Sequence, residues 1–461
     1  MIISSTVIIV DPTMDLQAAI DGAPDYATLR LPPGIFTAPD ANGFIISKPI
    51  TIEGAGNQYV YDNIGPPKTA KTLGTVLRPY NAGVTADGAK DSTVITISVT
   101  GTRTSHVTLK DFAIENPYGQ PALGTGDGIR VDGSGYVTLC LFENISVLFM
   151  GRDCLHTEGV GLGDSFDQSI VRRCQFGGSA RHGAYLKFNT DVTLDNCTFV
   201  GNLQCGLYEL NCSAVHVEHC LFNDNGANFV NGGATDWAGG TANWPYYHQA
   251  QCYLQGCARC TINRCDFEVW NGEPVPHAIG IETCQGGQIT NCYSYNASYA
   301  LAALEKTFII LTGDTIGMLI AGNQVSEADN YIVVVSGQGN TGNTILPPAI
   351  TVADGAPCRM LLANDLDTDP SGTPSGGNII TVPLTDASAS LVTANMAGGL
   401  LLPVVSATAA FTHDKLDGTL SCAADEKALR IYQDGAWQTV AAGLVSYEGN
   451  IVTHDDEPVS Y

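Results

Sequence analysis

The chain has 461 residues, a net charge of −25, 15 cysteines and 51 glycines, with charged residues at only 15%. Such an acidic surface repels nucleic-acid phosphate and anionic membranes, so nucleic-acid binding is not expected. No run approaches the roughly 18 uninterrupted apolar residues of a membrane helix, so no membrane insertion is expected either.

In chain order, Asp15 to Ile20 reads as a short helix, with Met14, Leu16 and Ile20 spaced for one or two turns. Ala27 to Leu31 reads as a strand, Pro32-Pro33-Gly34 as a turn, and Ile50 to Gly56 as a further strand and turn. Residues 1–55 thus form an opening cap and first coil. Turn-rich loops follow around Tyr59–Thr72 and Asn81–Asp91. The start, Met1-Ile-Ile-Ser, lacks the basic residues and long apolar stretch of a secretory leader.

The middle of the chain repeats. Cys174, Cys197 and Cys220 are 23 residues apart, each within a short alternating phrase ending Cys-x-Phe. The phrase returns at Cys265 and Cys292; Asn323 stands in a later copy, and Phe112 and Ile145 in earlier ones. A short strand recurring every 20–30 residues is the mark of a solenoid, in which each coil buries its core against its neighbours. Ladder cysteines pointing inward read as reduced core thiols. Strand alternation is expected to scatter Cys252, Cys257, Cys260 and Cys265 over different faces, so no metal and no cofactor is expected.

Aligning the coils places Leu155, Ala184, Leu207, Cys252 and Ile279 inside. Alternation then points His156, Tyr185, Tyr208 and Tyr253 outward. A second outward column holds Glu158, Lys187, Leu210, Gln255, Glu282 and Glu305. An aromatic stripe beside a charged one suits an extended sugar chain, whose C–H faces stack on rings while hydroxyls bond carboxylates. The bland alternative is a tyrosine ladder that only stabilises the sheet. Between Cys220 and Cys265 the spacing grows to 45, and the insertion carries Trp237, Trp244 and Tyr247. Exposed aromatics on a long glycine-rich loop suit a sugar or partner contact, unless they fold back as a cover. Glycoside hydrolysis needs two carboxylates about 5–10 Å apart. Glu282 and Glu305 on neighbouring coils are one candidate pair. Asp153 and Glu158 are others, with Asp164 and Asp167 in the next loop. Lys187, Arg181 and His182 could supply a cation or base for lyase chemistry.

The order helix, strand, Pro-Pro-Gly, then Ile50-Thr-Ile-Glu-Gly-Ala-Gly56 resembles the cap and first coil of pectate-lyase-like right-handed parallel β-helix proteins, a superfamily that includes phage tailspikes. The likeness covers residues 10–340 and implies an all-β solenoid with an N-terminal capping helix. It implies a spike that binds, and cleaves, a bacterial surface polysaccharide, with a homotrimer and a virion or tail-like particle as its setting. Free bacterial lyase or hydrolase, exported by another route, and non-enzymatic adhesion spike are the alternatives. Arg152-Asp153-Cys154 followed by Arg181-His182-Gly183 also resembles the Asp-Asp-Cys and Gly-His-Gly motifs of polygalacturonase-type hydrolases. That likeness implies Asp153 as acid and His182 as an orienting group; the chain departs from it at Arg152 and Arg181.

The β-helix is expected over 56–340 and an irregular segment over 341–398. A small β module over 399–461 closes the chain, with Asp434-Gly435 as a hairpin turn between alternating strands.

Overall fold

The structure is a computed structural model. It describes residues 6–57, 74–80, 85–99, 103–119, 121–132, 135–162, 166–226, 250–269, 277–296, 307–326, 331–336, 340, 342–346 and 349–351, then short strands between 359 and 458.

The described strands form a parallel β-helix. Twelve of them make one parallel sheet from Phe44–Ile46 to Val392–Thr393. A larger sheet folds over the other two faces. Leu141–Leu148 shows the bend between those faces, because it pairs with both Ile170–Arg172 and Gln175–Gly177. Each bend is a single residue in the left-handed region. Arg173, Asn196, His219, Arg264 and Asn291 all have φ of 53–56° and each directly precedes a ladder cysteine. That conformation costs a non-glycine residue about 1–2 kcal/mol. Coil-to-coil bonds hold it, such as Asn196 N–H to Glu218 C=O at 2.9 Å.

The inward columns stack as the periodicity requires. Val171, Leu194, Val217, Ile262, Ile289 and Ile320 are in successive register. Phe176, Phe199, Phe222 and Phe267 follow, with ring centroids 4.8–5.5 Å apart. The thirteen described cysteines are buried and unpaired, as expected of core thiols. Asn323 fills the cysteine position by bonding: it accepts from Cys292 N–H and donates to Ile289 C=O.

Outside, Arg30, Glu53, Lys110, Glu143, Arg172 and Asp195 lie in register with alternating charge. Each exposed pair contributes about 0–1 kcal/mol, and a register slip would part every pair. The cap helix spans Leu16–Gly22, and the Asp15 carboxylate accepts from Ala18 N–H as its N-cap. Far along the chain, Ala428–Gln433 pairs antiparallel with Ala436–Ala442 across Asp434-Gly435. No helix among the described residues is long and apolar enough to cross a membrane.

Strand alternation does not scatter the cysteines of the 252–265 stretch as expected. Gly256 and Arg259 both adopt positive φ and break the alternation. Cys257 and Cys260 therefore converge, with sulfurs within 4.8 Å of one another and of a Glu209 oxygen.

Replacing Phe199, sandwiched between Phe176 and Phe222, by alanine should cost about 3–5 kcal/mol in chemical denaturation. A loss below about 1 kcal/mol would contradict a close-packed phenylalanine column.

Candidate functional site

The candidate site lies on the twelve-stranded sheet. On it, Arg130, His156, Tyr185, Tyr208 and Tyr253 are successive register partners, all on the outer side. The expected column is therefore real, but it is not an exposed stripe. Tyr185, Tyr208 and Tyr253 are at most 5% exposed. Their rings stack on one another and on His156 at 5.0–5.5 Å with interplanar angles of 6–17°. Ring faces taken up in this way are not offered to a pyranose. The column is an internal ladder, the second of the two readings of the sequence. The Tyr208 hydroxyl donates to Gln255 and the Tyr253 hydroxyl to Glu282.

The second column runs Glu158, Lys187, Leu210, Gln255, Glu282 and then Thr312. Thr312, not Glu305, is the register partner of Glu282, because 30 residues separate the two rungs rather than 23. The Glu282–Glu305 carboxylate pair is thus corrected. Glu305, Asp164, Trp237, Trp244 and Tyr247 all lie outside the described residues.

Glu158 and Lys187 edge an open pocket of about 440 Å³, lined also by Arg130, Asp132, Val160 and Phe188. Lys187 Nζ is 2.6 Å from Glu158 Oε1, and His156 Nε2 is 3.4 Å from Glu158 Oε2. These two neighbours hold the Glu158 carboxyl well below the usual range despite its partial burial. It is ionised and nearly half exposed. Asp132 follows Val131, the register partner of Thr157, so it stands one rung from Glu158. Val160, in the pocket lining, stands exposed, as does Leu162 two residues on.

Behind the pocket is a buried layer of charge. Arg152 Nε donates to Asp127 Oδ1 at 2.8 Å, and Arg181 Nε to Asp153 Oδ1 at 2.9 Å. Asp153 Oδ2 faces His156 Nδ1 at 2.8 Å. Burial alone would raise the Asp153 carboxyl, but Arg181 and His156 together hold it well below the usual range. An ionised carboxylate can only accept, so Nδ1 of His156 carries the hydrogen. Asp153 is therefore not an acid but an orienting anion, fully enclosed. His182 is enclosed as well. Burial, then Arg181, push its ring down to about 3. The ring stacks on Tyr208 at 5.2 Å, and its backbone N–H, not its ring, reaches Asp153 at 3.0 Å. The Asp153 acid role and the His182 ring role implied by the polygalacturonase-type motifs are both corrected by this geometry.

Asp127, Asp153 and His156 bring ligand atoms within 4.8 Å of one another. Two guanidiniums already neutralise both carboxylates, so a dication would have to displace them. The arrangement suits a structural relay, Asp153–His156–Glu158, that fixes one surface carboxylate. Arg130, Asp132, Asp127 and the role of Arg152 were missed in the sequence. One signal could have found them: Asp127-x-x-Arg130-x-Asp132 repeats 26 residues later as Asp153-x-x-His156-x-Glu158.

Comparison with known proteins adds the handedness. The family described as right handed beta helix region matches residues 95–243. The solved DFA-IIIase from Arthrobacter chlorophenolicus A6, in complex with GF2, is similar with a TM-score of 0.56 at 12% identity, over 84% of this chain and 99% of that one. An alginate lyase from Paenibacillus sp. str. FPU-7 gives 0.44 at 14% identity, over 77% and 98%. The A-module of a mannuronan C-5 epimerase from Azotobacter vinelandii gives 0.42 at 15%, over 80% and 94%. No curated protein sequence matches the chain. The fold is a right-handed parallel β-helix; the likeness is one of fold.

The buried pair gives a pH test. Its folded carboxyl value is depressed, so its stabilisation is present above the unfolded value near ~4 and fades as pH falls toward the folded one. Asp153→Asn should cost about 3–5 kcal/mol at pH 7 by leaving Arg181 unpaired. Denaturant titrations down to acid pH should show that gap narrowing. A gap independent of pH would mean Asp153 is not held as an anion.

Proposed function

We propose that the protein is a carbohydrate-active β-helix enzyme that cleaves glycosidic bonds in a bacterial surface polysaccharide at the Glu158 pocket. The observation that carries this reading is one ionised, externally accessible carboxylate, Glu158, backed by His156 and Lys187. A second carboxylate, Asp132, stands one rung away on the same open pocket. Rungs in a parallel sheet are about 4.8 Å apart, which falls near the carboxyl separations that glycoside hydrolysis uses. Glu158 acts as base or nucleophile and Asp132 as acid. Arg130 and Lys187 hold substrate oxygens, and the apolar rim at Val160 and Leu162 covers a sugar face. The fold likeness to a DFA-IIIase, an enzyme, is consistent with this reading. A particle-borne, homotrimeric spike at the virion surface is part of the same proposal and rests on the cap-and-coil resemblance to tailspikes.

Glu158→Gln keeps size and hydrogen bonding but removes the charge. It should lower turnover of a cleaved polysaccharide by about 10²–10⁴-fold while leaving binding within a few fold. New reducing ends without unsaturated, ultraviolet-absorbing ends mark hydrolysis; unsaturated ends mark elimination. Full activity in Glu158→Gln removes the assignment of this pocket.

A binding-only spike is the second reading. The formed Glu158–Lys187 ion pair favours it, since the carboxylate already has a partner. Retained glycan binding without any shortening of the glycan would support it.

A further inference from the structure

Glu209 is the least compensated charge-bearing side chain in the described core. It occupies the inward side of Leu207–Leu210, in register with Leu186 and Leu254. It is fully buried, and among the described residues no N–H or O–H donor reaches either carboxyl oxygen; the one polar group against it is the Cys260 thiol. A buried carboxyl with only a thiol beside it is retained at a cost, so either its proton stays on or a cation sits beside it. The groups beside it are thiols. Cys257 and Cys260, on the next coil, bring their sulfurs within 4.8 Å of each other and of a Glu209 oxygen.

The left-handed residues Gly256 and Arg259 each immediately precede one of these cysteines and aim both into the core. The Cys257 side chain also reaches back toward the Glu209 backbone carbonyl, 3.7 Å away. Two sulfurs and one oxygen, converging from two coils, are a donor set for a d¹⁰ cation of the zinc type. Calcium or magnesium would want oxygen alone.

We propose that Glu209, Cys257 and Cys260 form a buried site for a single zinc(II) ion that pins two successive coils of the solenoid. Loading displaces the protons of both thiols and of the carboxyl, and no electron transfer is involved. Because the site is closed to solvent, the metal enters as the coils form and its binding is coupled to folding. Glu209 lies on the same strand as Tyr208, so the ion would stiffen the sheet directly behind the tyrosine ladder. The site is separate from the Glu158 pocket, and its fate does not depend on that reading.

The full chain is unfolded with denaturant, chelator and thiol reductant, then refolded with zinc(II), with cobalt(II), or with neither. The expected result is a single ion per chain retained through gel filtration. Cobalt should give the near-ultraviolet thiolate-to-metal charge-transfer band, and zinc a higher melting midpoint than the metal-free protein. Glu209→Gln and Cys260→Ser should each lose the stoichiometric ion and the band, with circular dichroism reporting that the β-helix still forms. Cys197→Ser, in the separate ladder, should keep both. Wild-type protein that refolds fully yet retains no cobalt overturns the proposal, whatever the variants do. So does a Glu209→Gln protein that keeps the full band, because a neutral isostere would then suffice and Glu209 would be a protonated core group.

Discussion

The structure depends on one constraint: each coil must sit in register on the one before. A slip of one residue would turn every buried side chain to the other face. Several independent columns enforce the register here. Phenylalanines stack on phenylalanines. Aliphatic residues stack from Val171 to Ile320. Charges alternate outside from Arg30 to Asp195. The left-handed corners work in the same direction. A single residue turns the chain between faces, and the neighbouring coil supplies the hydrogen bond that holds it.

Register converts sequence distance into chemistry. Asp127, Asp153 and Arg181 are 26 and 28 residues apart along the chain, yet their side chains form one layer. Within that layer the guanidiniums do more than neutralise. Arg152 grips Asp127 and Arg181 grips Asp153 through two nitrogens each. Such forked contacts fix direction as well as charge. Arg181 also lies 4.9 Å over the Tyr185 ring, so the ion layer and the aromatic ladder share one side chain. The consequence surfaces at Glu158, an ionised carboxylate that is locally framed by cations on a protein of strongly negative net charge.

The repeat was legible because a periodic core leaves a periodic text. The cysteine spacing marked the coils, and alternation assigned inside and outside correctly from Leu155 through Ile279. Three things were not legible. Periodicity gives a side chain's direction but not what lies against it. Tyr185, Tyr208 and Tyr253 do point outward, yet their faces are taken up by one another. Extrapolation also fails wherever a coil changes length, and the rung after Glu282 falls at Thr312 instead of Glu305. The corners escaped notice because left-handed positions are usually read from glycine, while here arginine, histidine and asparagine occupy them. Two further left-handed residues, Gly256 and Arg259, undid the expected scattering of Cys257 and Cys260, since alternation does not survive a left-handed residue.

The placement of buried charge is the last step. In a solenoid a coil's stability is set by itself and its neighbours, so a costly rung cannot be compensated from far away. Asp127, Asp153, His156, Arg181, His182 and Glu209 are all buried on consecutive coils, while Glu115, Asp224 and His277 are buried elsewhere. A fold selected only for stacking would have no reason to set two buried ion pairs on adjacent coils. Replacing a buried ion pair with well-packed apolar residues is often neutral or stabilising. Retaining two such pairs side by side, joined through His156 to an ionised carboxylate at the edge of an open pocket, suits a rigidly oriented site better than a passive ladder. The two paired charges, more than any single residue, are the reason for placing the proposed site on this part of the β-helix.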